Sequence, residues 1–235
     1  MQMHAIDEAG SEESVEKFLW NIPAGTLTHV RSIKDASFTS LNDLVMTGLD
    51  TFYTTNDYIF RNNWIRRLEY FTFLPINNVV YFDGKAGHVA MRQLRRPNGI
   101  AISPDHRFLY VAESSAKQVS TFRISRPGQL EHVSSRYLGA LVDNLNVDPD
   151  SGDVWVGTHP IGYKIFLKVA FPVGTLSPSL ILRLKMYAGV VQDVSQIYSN
   201  NGSALIGSGV ASFYKGGILI GTPTHKLLYC ECLIC

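Results

Sequence analysis

The stretch Asn98-Gly-Ile-Ala-Ile-Ser-Pro-Asp105, followed across His106 by Arg107-Phe-Leu-Tyr-Val-Ala-Glu113, decides the fold. Both halves are rich in Ile, Val, Phe and Tyr, residues that suit a pleated, half-buried surface. Between them Ser-Pro-Asp-His supplies turn chemistry. The stretch therefore reads as strand, tight turn, strand. The same template recurs on both sides. Asn144-Leu-Asn-Val-Asp-Pro-Asp150 leads into Asp153-Val-Trp-Val-Gly-Thr158, and Asn42-Asp-Leu-Val-Met-Thr47 leads into Asp50-Thr-Phe-Tyr-Thr-Thr55. A fourth copy, Val210-Ala-Ser-Phe-Tyr-Lys-Gly-Gly217 into Ile218-Leu-Ile-Gly-Thr222, lacks the leading Asn. The three leading Asn residues are 56 and 46 residues apart, close to the roughly 40–50-residue period of four-stranded propeller blades. Further strands are expected at Val119–Ile124, Tyr163–Val169, Gln196–Tyr198 and Lys226–Cys230.

The composition fits a globular chain of 235 residues: 46% hydrophobic and 17% charged excludes a disordered or fibrous one. A formal net charge of +1 leaves no bulk field to hold nucleic acid, so none is expected as a partner. No apolar run reaches 18 residues, the length that would suggest a membrane-crossing helix. The opening Met1–Ser14 is polar and acidic, without the layout of a secretory signal. All three cysteines, Cys230, Cys232 and Cys235, fall within the last six positions. Bridging such close neighbours would close almost no loop.

One stretch departs from the strand pattern. Phe60, Trp64, Leu68 and Phe71 stand at helical spacing within Phe60–Leu74, with Arg61, Arg66 and Arg67 beside them. This predicts one amphipathic helix, either packed on a sheet or lying on a lipid surface or over a binding mouth.

Equivalent positions of successive propeller blades converge, so Asn42, Asn98 and Asn144 are candidates to meet. Asp43 follows the first and Asp143 precedes the last. This set offers only amide and carboxylate oxygens, which suit a hard cation such as Ca²⁺. The competing reading is that Asn and Asp simply open turns before strands. Pro149-Asp-Ser-Gly-Asp153 is a hairpin turn rather than a calcium loop, for it lacks the alternating ligands and final Glu. No Gly-x-Ser-x-Gly elbow and no phosphate-binding Gly loop is present.

At these residues the chain resembles the paraoxonase (serum paraoxonase/arylesterase) family. The stretches that carry the resemblance are Leu41-Asn-Asp-Leu-Val45 with Tyr53-Thr-Thr-Asn-Asp57, Asn98–Asp105, Leu141-Val-Asp-Asn-Leu-Asn-Val-Asp-Pro-Asp150, Val154-Trp-Val-Gly-Thr-His-Pro160, and Leu219-Ile-Gly-Thr222 with His225-Lys-Leu-Leu-Tyr-Cys230. The resemblance implies an all-β, six-bladed propeller with two calcium ions, of which this chain is expected to hold an incomplete arc of about four blades. It implies calcium-dependent hydrolysis of aryl esters and lactones, with Ca²⁺ polarising the carbonyl or phosphoryl oxygen. Carried over by motif, Asn42, Asn98, Asp143 and Asn144 match ligands of the catalytic calcium, and Asp43 a ligand of the structural one. Phe60–Leu74 matches a mouth helix associated with lipoprotein or membrane surfaces. Asn201-Gly-Ser203 is a glycosylation sequon, and the resemblance implies a secreted protein, or one held at the endoplasmic reticulum or plasma membrane.

Departures shape the remaining expectations. Residues 1–14 do not match, residues 15–231 form the partial propeller, and 232–235 are an atypical Cys-containing tail. The family's preceding part, with its acidic pair, histidine dyad and the partner of Cys230, is expected to be absent. The chain alone is then expected to dissolve poorly and bind calcium weakly. His4 is the one candidate remnant of the dyad, while His159 and His225 read as structural. Tyr58 stands where relatives often carry His, and Thr158 where several carry Cys. The alternative function is a non-catalytic chaperone or binding protein at membranes.

Overall fold

A computed structural model describes residues 2–7, 13–60, 65, 69, 73–170, 176–223 and 225–231. It contains five β-sheets, each a meander of strands adjacent in sequence. The first is β1 (Gln2–Asp7), β2 (Ser14–Asn21) and β3 (Thr26–Ile33). The second is β4 (Leu41–Met46), β5 (Phe52–Asn56), β6 (Asn77–Phe82) and β7 (Gly87–Leu94). The third is β8 (Pro97–Ile102), β9 (Phe108–Glu113), β10 (Gln118–Arg126) and β11 (Gln129–Tyr137). The fourth is β12 (Leu141–Val147), β13 (Val154–His159), β14 (Ser179–Tyr187) and β15 (Val190–Asn200). The fifth is β16 (Val210–Tyr214), β17 (Gly217–Gly221) and β18 (Leu228–Glu231).

The repeated template therefore supplies the first two strands of sheets two to five. Strands β5, β9 and β13 are buried along their whole length. In β9 and β13 that matches the apolar runs Phe108-Leu-Tyr-Val-Ala112 and Val154-Trp-Val156, for both faces are covered. Outer strands such as β11 and β15 are half-exposed or exposed and correspondingly polar.

The chain forms two compact units, Met1–Pro97 with Arg126–Leu130, and Asn98–Ser125 with Glu131–Cys235. In the first, Val15 and Ile33 of the first sheet pack on Phe38, Leu41, Phe52, Val80 and Phe82. In the second, Phe108, Tyr110 and Val119 of the third sheet pack on Val154, Val156, Leu182 and Leu184 of the fourth. The other face of the fourth sheet sets Trp155 and Ile181 against Ala211, Ile218 and Ile220, with the Trp155 and Phe213 rings stacked at 5.4 Å.

The expectation of about four blades is corrected to five blade-type sheets of an all-β propeller class. The extra one is β1–β3, which no Asn-led copy announces. Its outer strand, Thr26–Ile33, is exposed at every position except Ile33, so no burial pattern marks it. The strand expected at Tyr163–Val169 is instead part of a helix, α1 (Gly162–Ala170). Its apolar run fits both periods, and a short run of this kind does not distinguish strand from helix. Here Ile165 is buried, while Tyr163, Phe166 and Leu167 are exposed. Of the helix expected over Phe60–Leu74, Ile65 and Glu69 are helical, and most of the remainder lies outside the described residues. No described helix is long and apolar enough to cross a membrane.

Candidate functional site

Two of the candidate dipeptides share one local geometry. The pairing of β4 with β5 goes from Leu41↔Asn56 to Leu44↔Thr54, so β4 carries one extra residue at Asn42-Asp43. The pairing of β12 with β13 goes from Val142↔Thr158 to Leu145↔Val156, with the extra residue at Asp143-Asn144. Both are β-bulges at the start of the first strand of a sheet. A bulge releases side chains from the ladder and re-aims them, and bulges collect beside active sites.

In the second unit the residue after Asn98 meets the bulge at Asp143-Asn144. A Cβ on Gly99 would lie 2.5 Å from Asn144 Cα and 2.8 Å from the Asp143 carbonyl oxygen. The backbones of β8 and β12 thus touch at a point only glycine allows. Asn98 is nearly buried there. The fifth sheet arrives on the other side: Asn144 N–H donates to the Gly209 carbonyl at 3.0 Å. A Cβ on Gly209 would come within 2.8 Å of Asp143 Oδ2. Where the other copies offer an Asn side chain, the fourth thus offers a carbonyl and no side chain.

The Asn144 amide is oriented by its neighbours. Its Nδ2 donates to Asp143 Oδ1 and to the Gly209 carbonyl, each at 3.3 Å. Because the NH₂ group is held by two acceptors, the amide oxygen is turned the other way and available as a donor atom. Asp143 Oδ2 also accepts a hydrogen bond from His159 Nε2 at 3.0 Å. No group of three or more His, Cys, Asp or Glu comes together among the described residues. One carboxylate with amide oxygens is a hard, weakly charged set, which fits Ca²⁺ and not a soft metal.

In the first unit Asn42 and Asp43 occupy their own bulge. Asp43 N–H donates to Thr55 Oγ1 at 3.2 Å, its carbonyl accepts from Thr54 Oγ1 at 2.8 Å, and its Oδ1 accepts from Leu44 N–H at 2.8 Å. Sequence reasoning missed two residues that build this end of β4. Glu13 Oε2 accepts from Leu41 N–H at 3.2 Å. Asn56 is fully buried. Its Oδ1 accepts from Thr39 and Ser40 N–H at 3.0 and 3.2 Å, and its Nδ2 donates to the Ser37 carbonyl and Asn78 Oδ1 at 2.8 and 2.9 Å. The only signal was its place in the Thr-Thr-Asn-Asp run.

His4 lies elsewhere in this unit. It sits on β1 opposite Lys17, whose Nζ meets Asp50 Oδ1 at 2.5 Å, with Arg31 also on Asp50 at 3.3 Å. Burial, and then the Lys17 charge, lower the His4 pKa. Asp50 lies in the turn beyond β4, at the opposite end of that strand from Asn42 and Asp43. Tyr58 carries the Arg96 guanidinium over its ring at 5.2 Å. Glu69 accepts from the N–H groups of Ile59 and Phe60 at 3.0 and 3.2 Å and from Asn77 Nδ2 at 2.6 Å, tying that stretch to β6. Asn201 is exposed, between β15 and β16. Cys230 is a free, half-buried thiol, while Cys232 and Cys235 lie outside the described residues.

The arylesterase family model matches residues 2–232. Human serum paraoxonase/arylesterase 2 is 37% identical over 229 residues, which is 97% of this chain and 64% of that protein. Human serum paraoxonase/arylesterase 1 is 36% identical over 231 residues, 98% of this chain and 64% of that protein. Rabbit (Oryctolagus cuniculus) serum paraoxonase/lactonase 3 is 35% identical over 229 residues, with 97% and 64% covered. The chain thus spans 64% of the length of these curated relatives. Among solved structures, a nidogen/laminin complex chain superposes with a TM-score of 0.65 at 14% identity, covering 98% of this chain and 73% of that one. A gluconolactonase from Xanthomonas campestris superposes with 0.53 at 17% identity, covering 93% and 67%. These two report the fold.

Proposed function

The chain belongs to the arylesterase family, and on that premise we propose that it is a calcium-dependent hydrolase of aryl esters and lactones. The observation that carries the reading is the Asn144 amide, anchored through its NH₂ so that its oxygen is free to bind a cation. In this reading Asn98, Asp143 and Asn144 are ligands of the catalytic Ca²⁺, and Asp43 is a ligand of a structural one. Bound calcium supplies Lewis-acid polarisation of the substrate carbonyl and stabilises the negative charge that develops there.

What the chain itself does is orientation. Gly209 and Asp143 fix the Asn144 amide, and the Gly99 contact holds β8 against the bulge that carries it. Little reorganisation is then needed when charge develops on the substrate. An exported protein, glycosylated at the exposed Asn201, is part of the same proposal. So is a lipid contact through Phe60–Leu74, whose Phe60, Ile65, Phe73 and Leu74 are exposed.

The test is calorimetric Ca²⁺ titration together with phenyl acetate and δ-lactone hydrolysis, with and without EDTA. The expected result is calcium uptake that Asn144→Ala weakens by at least about tenfold, and turnover that EDTA abolishes. Turnover that survives EDTA overturns the mechanism. Calcium uptake without turnover of either substrate supports the binding-protein alternative.

A further inference from the structure

The carboxylate of Asp143 sits in a bulge, where no ladder hydrogen bond holds its own backbone unit in register. Its orientation must come from side-chain contacts. One is the Asn144 amide on Oδ1, already described. The other is His159, the last residue of β13, paired in register with Leu141. The His159 side chain is 9% exposed. A Cβ on Gly207 would stand 3.8 Å from His159 Nδ1 and 2.5 Å from Ile165 Cδ1, so the ring lies beside the Gly207 loop where α1 packs down. Nδ1 is buried with no hydrogen-bond partner among the described residues. Among the described residues the ring's polar contact is Nε2–H on Asp143 Oδ2, and that contact defines which nitrogen carries the hydrogen.

We infer that His159 is a positioning residue: its Nε2–H fixes the plane of the Asp143 carboxylate and so presents an oriented oxygen donor to the cation. This rests on the calcium reading above. The ring restrains a ligand that the bulge leaves loose, and partners of ligating carboxylates typically contribute 10–100-fold to metal affinity.

The geometry distinguishes this role from filling space. A Gln side chain at 159 can place an N–H near the position of Nε2, whereas Asn reaches only to about Nδ1, and Leu fills volume with no donor. The experiment is Ca²⁺ titration calorimetry on the full chain and on His159→Gln, His159→Asn and His159→Leu, with circular-dichroism melts to establish folding. The expected result is Ca²⁺ affinity about 10–100-fold weaker in His159→Leu and His159→Asn, and restored to within about threefold of wild type in His159→Gln. Equal affinity across wild type and all three variants overturns the positioning role and leaves the calcium reading standing. Affinity lost equally in all three, with melts unchanged, also overturns it, because a donor at the right place would not then suffice. A wild-type chain that takes up no Ca²⁺ overturns the calcium reading and this inference with it.

Discussion

Single atoms decide the candidate site. At Gly99 a methyl group would meet main chain rather than a flexible side chain, so neither partner can turn aside. Gly99→Ala is expected to cost about 2 kcal/mol of stability, of the order found for overpacking, and to displace Asn144. Chemical denaturation and Ca²⁺ titration of the variant measure the two effects. Away from the site, Asp105 shows how a turn holds a charge. Ser103 Oγ donates to it at 2.6 Å and Arg107 Nε binds its other oxygen at 2.6 Å, and its pKa falls to about 2. A carboxylate with a lowered folded-state pKa favours the fold above its unfolded pKa, near 4, and that contribution is lost as pH falls towards 2. An NMR titration is expected to place the Asp105 midpoint near 2 and to move it upward in Ser103→Ala. A midpoint near 4 in the wild type would show the turn to be open in solution.

Elements show how far the linear pattern reached. Strand, turn, strand copies led by Asn42, Asn98 and Asn144 became β4–β5, β8–β9 and β12–β13, because local turn chemistry and apolar runs are written in consecutive residues. The bulges were not legible, since a bulge exists only relative to a partner strand. The Asn56 network was hidden for the same reason: its four partners lie 16 to 22 residues away. α1 was misread because a short apolar run fits a helix as well as a strand, and its length does not arbitrate. A related long-range device braces the fourth sheet. Asp153 is buried before β13, accepting from Arg183 Nε and Nη2 at 2.8 and 2.7 Å and from Met186 N–H at 3.1 Å. Lys cannot reproduce that two-pronged contact. Arg183→Lys is expected to destabilise by about 1–2 kcal/mol, and Asp153→Ala by about 3 kcal/mol through the unpaired arginine it leaves. Equilibrium urea unfolding measures both, and equal effects would show that charge alone matters.

On the scale of the whole molecule, the buried clusters described above respect the division into two units. The cluster around Phe38, Phe52 and Phe82 belongs to one, and those around Val156 and Trp155 belong to the other. Phe52→Ala and Trp155→Ala each remove a large, fully buried ring, at about 3–5 kcal/mol. Guanidinium unfolding followed by hydrogen exchange is expected to show Phe52→Ala lowering protection mainly in residues before Pro97, and Trp155→Ala mainly after Asn98. Uniform loss of protection across the chain in both variants would instead indicate one cooperative body.

Each of the two bulges has an unusual genetic fragility. Each holds one residue more than its partner strand needs, so removing one residue at Asn42-Asp43 or Asp143-Asn144 would let the strand run straight with its apolar alternation intact. Most single-residue deletions within a strand turn its buried side chains outward and are lost with the fold. At either position the deletion would spare the fold, remove one oxygen donor and return the other to the ladder. Descendants released from selection on chemistry could therefore shed the site in a single in-frame step while remaining well-folded proteins, and a regular β4 or β12 would be the scar that identifies them.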